Sequence, residues 1–109
     1  MMPKALVLFG ISGSRVGKST SVGGPLAVLG SATSCDLVLH DRQVLPRHAE
    51  IRQSLNTWFI APLSPDALVA VNGKRLTAQA RVSEGDLVTV GSATFKAAVS
   101  ETNEVGGRR

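Results

Sequence analysis

Apolar residues recur along this chain in short runs, each closed within a few residues by glycine, proline, asparagine or serine. The first run, Lys4 to Phe9, ends in a glycine-serine turn at Gly10 to Ser14. Further extended segments are read at Lys18–Val22, Leu26–Leu29, Asp36–His40, Arg47–Gln53, Thr57–Ile60, Leu68–Val71, Lys74–Leu76, Leu87–Val90 and Ala93–Val99. Arg47–Gln53 alternates, with Ala49 and Ile51 on one face and His48, Glu50 and Arg52 on the other. Asn72-Gly73 between two such runs is the strongest hairpin signal, because both central residues of a tight hairpin turn need positive φ. About ten short strands spaced by roughly 8–12 residues predict an all-β sandwich. One domain spans residues 1–99, and the polar stretch 100–109, with Gly106-Gly107, is expected to be a C-terminal tail or linker stub.

Composition sharpens this picture. At 109 residues the chain suits one domain, long enough to bury about 65% of its unfolded surface without staples. Valine, leucine and alanine dominate the apolar fraction and aromatics make up 4%, which fits strands and turns better than long helices. Cys35 is the single cysteine, so no internal disulfide forms, and no Cys/His pairing has metal-site spacing. It reads as a small half-buried hydrophobe. The apolar run Ala5 to Phe9 is too short for a signal peptide, and no run approaches a membrane helix; a soluble, cytoplasmic chain is expected. The formal net charge is +4, but the cations are scattered and no basic cluster is interleaved with aromatics. That argues against nucleic acid as the partner.

The stretch Gly10-Ile-Ser-Gly-Ser-Arg-Val-Gly-Lys-Ser-Thr20 imitates a nucleotide-binding loop. The GxxxxGK pattern would place a glycine at Ser12, and Gly13 comes one residue late. A phosphate loop also needs a helix to follow. Here Thr20-Ser-Val-Gly-Gly-Pro25 breaks any helix at once. The stretch is read as a hairpin whose tip holds Lys18. No nucleophile–base set, paired carboxylates or cofactor loop is recognisable elsewhere, so neither enzyme chemistry nor a cofactor is expected.

From Leu29 to Val99 the order of features resembles the forkhead-associated (FHA) domain. The matching residues are Leu29-Gly30, Cys35-Asp36-Leu37-Val38-Leu39, Val44, Arg47-His48-Ala49-Glu50-Ile51, Trp58, Val71-Asn72-Gly73 with Leu76, Gly85-Asp86-Leu87-Val88, and Val90-Gly91 with Phe95. The resemblance implies a β-sandwich of two antiparallel or mixed sheets that binds phosphothreonine peptides through loops at one end. It assigns structural positions to Gly30, His48, Asn72 and Gly73, with the histidine bracing the recognition loops. Trp58 is expected in the core. Asp86 is placed to accept bonds from loop amides.

The departures fall on the phosphate site. Where such domains usually carry an arginine after the glycine, this chain has Ser31; where they carry a serine and often a second basic residue, it has Leu45 and Pro46. Their asparagine position falls on or near Ala67. A hydrogen bond to a charged group is worth about 1.5–3 kcal/mol. Losing two or three without replacement weakens binding by about 10²–10⁵-fold. Asp66 would further repel a phosphate. The expected function is therefore a protein–protein interaction module that binds its partner independently of phosphothreonine, in an assembly or signalling role. The alternative is a phosphothreonine adaptor in a Ser/Thr kinase pathway, with Arg42, Arg47 and Lys18 as substitute cations and Ser31, Thr33 and Ser64 as hydroxyl donors. The candidate partner-binding positions are Ser31, Thr33, Arg42, Leu45, Pro46, Arg47, Ser64 and Ala67. The partner is another protein or peptide.

Overall fold

A computed structural model describes residues 4–101. Eleven strands follow one another: β1 Lys4–Ser12, β2 Ser19–Val22, β3 Leu26–Gly30, β4 Leu37–Val38, β5 Ala49–Ser54, β6 Thr57–Pro62, β7 Val69–Val71, β8 Lys74–Arg75, β9 Ala80–Val82, β10 Leu87–Val90 and β11 Ala93–Glu101. They form a six-stranded sheet in the order β2-β1-β11-β10-β7-β8 and a five-stranded sheet in the order β4-β3-β5-β6-β9. All pairings are antiparallel except β3 with β4, which is parallel. The all-β sandwich read from the sequence is the fold observed.

The core lies between the inner faces of the two sheets. Leu6 and Leu8 of β1, Val88 and Val90 of β10, and Phe95 and Ala97 of β11 are each 0% exposed on one side. Leu29, Ala49, Ile51 and Ile60 meet them from the other, with Trp58 at 2% exposure. Period-two patterning places these residues on inner faces, and each fully buried large side chain contributes about 1.5–3 kcal/mol.

Segment ends differ from the sequence reading where loops take over. β4 is two residues long instead of Asp36–His40, because its pairing with β3 covers only Leu37 and Val38. The Asp36 carboxylate accepts the Val28 N–H at 2.8 Å, and the Leu39 N–H donates to the Gly30 carbonyl at 2.8 Å. β5 begins at Ala49 and not Arg47. His48 does not share the solvent face with Glu50 and Arg52: it is 0% exposed and belongs to the preceding loop. β9 has no counterpart among the segments read from the sequence: Ala80-Arg81-Val82 is too short to carry a pattern and pairs with β6. β11 continues through Ser100 and Glu101, stabilised by pairing with β1. Residues 102–109 of the expected tail lie outside the described residues.

Two hairpins use the same turn geometry with unequal residues. Asn72 and Gly73 have φ of 54° and 82°, as the sequence implies. Leu55 and Asn56 turn β5 into β6 with φ of 52° and 63°. Leucine in the left-handed region costs about 1–2 kcal/mol, and Leu55, 95% exposed, recovers none of it by burial. Leu55→Asn is therefore expected to raise stability by roughly 0.5–1 kcal/mol. An unchanged or lowered melting temperature would mean that the leucine makes a compensating contact.

Candidate functional site

Four loops meet at one end of the sandwich, and backbone hydrogen bonds tie them to each other. The first, between β3 and β4, is held to the second, between β4 and β5: Ser31 and Ala32 N–H groups donate to the Leu45 and Pro46 carbonyls at 3.0 and 3.2 Å. The Cys35 thiol, buried, donates to the same Pro46 carbonyl at 3.0 Å. That close approach explains Gly30. Its φ is not among the positive values, but a Cβ there would lie 2.1 Å from the Pro46 oxygen and 3.0 Å from the Cys35 sulfur. Space, and not an unusual backbone angle, demands the glycine.

His48 links the second loop to the third, between β6 and β7. Its Nδ1 accepts the Leu45 N–H at 3.0 Å, so Nε2 carries the proton and donates to the Leu68 carbonyl at 2.7 Å. Its own N–H and carbonyl bond to Leu29 and Leu63. One imidazole thus fixes both loops. The Leu68 carbonyl also accepts the Gly91 N–H at 2.9 Å, which adds the β10–β11 turn to the cluster. Ser92 Oγ donates to the Arg42 carbonyl at 2.7 Å.

The β1–β2 hairpin closes the cluster on its flank. The Asp41 carboxylate accepts both the N–H and the hydroxyl of Ser14, the latter at 2.8 Å. This hairpin is the stretch that imitates a nucleotide loop. Four of its amides are spent on the hairpin's own carbonyls: Gly10 donates to Lys18, Val16 to Gly13, Gly17 to Gly10 and Lys18 to Arg15. Strand, not helix, follows Lys18. A phosphate cradle of that type is built from the free amides of a helix N-terminus, which this hairpin does not form.

The expected binding positions separate by exposure. Thr33, Arg42, Pro46 and Arg47 are exposed, while Ser31, Leu45 and Ser64 are half-buried. Neither arginine side chain has an ion-pair partner among the described residues, where the single salt bridge joins Arg52 to Glu50. Ser64 Oγ accepts the Asp66 N–H at 3.2 Å within its own loop. Ala67 is 1% exposed, so its side chain fills the core and cannot touch a partner. Nothing local signals this, since the loop holding Ala67 is polar and rich in proline. A groove of about 460 Å³ beside the third loop, formed by Pro62, Leu63, Pro65, Arg75 and Leu76, was also illegible in sequence. Its two walls lie ten or more residues apart in sequence, and they are joined by the pairing of β8 with β7 and by the Arg75 guanidinium donating to the Pro65 carbonyl at 3.3 Å.

Residues 10–100 match the family described as the inner membrane component of T3SS, cytoplasmic domain. No curated protein sequence matches the chain. Among solved structures, the cytoplasmic domain of PscD, a T3SS sorting platform protein of P. aeruginosa, is similar with a TM-score of 0.75 at 20% identity, covering 96% of this chain and 98% of that one. The FHA domain of CT664 from Chlamydia trachomatis gives a TM-score of 0.78 at 23% identity, covering 86% and 96%. Mycobacterium tuberculosis EmbR, in complex with a low-affinity phosphopeptide, gives 0.79 at 20% identity over 93% of this chain and 26% of EmbR. These likenesses show an FHA fold.

Proposed function

Because the chain belongs to the family of T3SS inner-membrane-component cytoplasmic domains and has the FHA fold, we propose that it is a protein–protein interaction module that docks its partner through the loop cluster without reading phosphothreonine. The observation that carries this reading is the chemistry of the cluster's floor. Ser31 and half-buried Leu45 stand where the resemblance expects charged and hydroxyl donors, and Ala67 turns inward. A phosphate dianion seated there would lose its water and gain no guanidinium fork, a charge-assisted contact among the strongest available. Apolar Leu45 and Pro46 instead offer area that a partner's side chains can cover.

As FHA domains are interaction modules, the reading assigns no catalysis and no cofactor. The family's description as a cytoplasmic domain supports a cytoplasmic location. No helix among the described residues is long and apolar enough to cross a membrane. An assembly role is favoured over kinase signalling by the T3SS family and by the PscD likeness.

One observation favours the second reading. Arg42 and Arg47 are exposed and without ion-pair partners among the described residues, so they are available as substitute cations. An NMR titration of the chain with a degenerate phosphothreonine peptide pool, beside its unphosphorylated twin, decides between them. Equal shifts, or none, are expected from the two pools. Shifts seen only with the phosphorylated pool and centred on Ser31, Arg42, Arg47 and Ser64 would overturn phosphate independence.

A further inference from the structure

The outer face of the six-stranded sheet carries a second feature, separate from the loop end. Leu8, Val88, Phe95 and Ala97 are 0% exposed and point into the core, so the residues between them point out. Register sets those outward residues in rows. Phe9 of β1, Lys96 of β11 and Leu87 of β10 form one row. Val7 and Ala98 form the next on one side. Thr94 and Thr89 lie on the other.

Phe9 is 44% exposed and Leu87 42%, both large apolar side chains on the flanks of a cation. Between them β11 presents Thr94, Lys96 and Ala98, two small residues on either side of one long stem. The result is an exposed strip in which a lysine stands between two apolar side chains. Phe9 and Leu87 stand two strand spacings apart, roughly 10 Å, which is about the width of an α-helix with its side chains. Ile11, also 44% exposed, adds an apolar side chain at the bulge of β1.

Charge selects the occupant. The outward positions of β2, β1, β11 and β10 hold no carboxylate. Asp86, just before Leu87, has its carboxylate occupied by the Ser83 N–H and the Asn72 amide. Lys96 has no ion-pair partner among the described residues. We propose that this face docks an amphipathic helix of a partner protein, with apolar residues against Phe9 and Leu87 and a glutamate or aspartate on Lys96. A second copy of the chain fits poorly, since an isologous contact would bring Lys96 toward its own counterpart. Docking of an amphipathic helix on such a face reads apolar anchors at helical spacing and takes its specificity from charge.

The test uses two synthetic amphipathic helical peptides with the same leucine stripe, one bordered by glutamates and the other by lysines. Each is titrated into the labelled 109-residue chain. The acidic peptide is expected to shift the amides of Phe9, Leu87, Lys96 and Ala98. The basic peptide should bind at least about tenfold more weakly. Lys96→Glu, on an exposed side chain, should invert that preference while leaving the spectrum of the free chain otherwise intact. Phe9→Ser should weaken both. Equal binding of the two peptides, absence of shifts on this face, or signals on this face that move on dilution of the chain alone would each overturn the proposal. The last would assign the face to a second copy.

Discussion

His48→Ala is expected to destabilise the chain by roughly 3–5 kcal/mol. Two costs combine. Truncating a fully buried large side chain leaves a cavity, for which about 2–5 kcal/mol is usual. It also strips the Leu45 N–H of its acceptor and the Leu68 carbonyl of one of its two donors. An unsatisfied buried donor costs about 1–3 kcal/mol, part of which is recovered if water enters the cavity. The loss should appear as a lowered denaturation midpoint and as exchange broadening of Leu45 and Leu68 amides. His48→Asn separates the causes. Its oxygen sits near the position of Nδ1 and can accept the Leu45 N–H, but it cannot reach Leu68, so roughly half the loss should return. If Asn and Ala are equally destabilising, the imidazole fills space and does not brace the loops.

Gly30→Ala follows by a different mechanism. The new methyl would sit 2.1 Å from a backbone oxygen, which cannot swing aside as a side chain can. Relief requires the Pro46 loop to retreat, breaking the Ser31–Leu45 and Ala32–Pro46 bonds. Overpacking costs typically 1–3 kcal/mol and occasionally more; a backbone clash belongs at the upper end, about 3 kcal/mol. For a domain of this size that lowers the melting temperature by roughly 12–24 °C. Binding through the loop cluster should fall with it. A fall of only a degree or two would show that the two loops are not locked together at Gly30, and would weaken the case for a preformed docking end.

The hairpin at Asn72-Gly73 was readable because its chemistry is local. Positive φ at two adjacent positions selects those residue types, whatever surrounds them. The hairpin at Leu55-Asn56 has the same geometry without the signature, because pairing of β5 with β6 forces the turn on a leucine. Ala67 and His48 show the limit from the site's side. Sequence placed both near the loops, but a polar loop gives no period from which to infer which way a side chain faces.

Taken alone, the sequence determined the all-β class and the order of most strands. Those properties follow from period-two patterning, turn residues and residue identity, all of which act over a few neighbouring positions. The tertiary structure decided the rest. It set Gly30 against the Pro46 carbonyl, gave His48 its two loops, turned Ala67 inward, spent the hairpin amides on carbonyls and aligned Phe9, Lys96 and Leu87 in one row. Each of these joins residues far apart in the chain whose approach is fixed by sheet register and loop closure, and no local pattern encodes such distances.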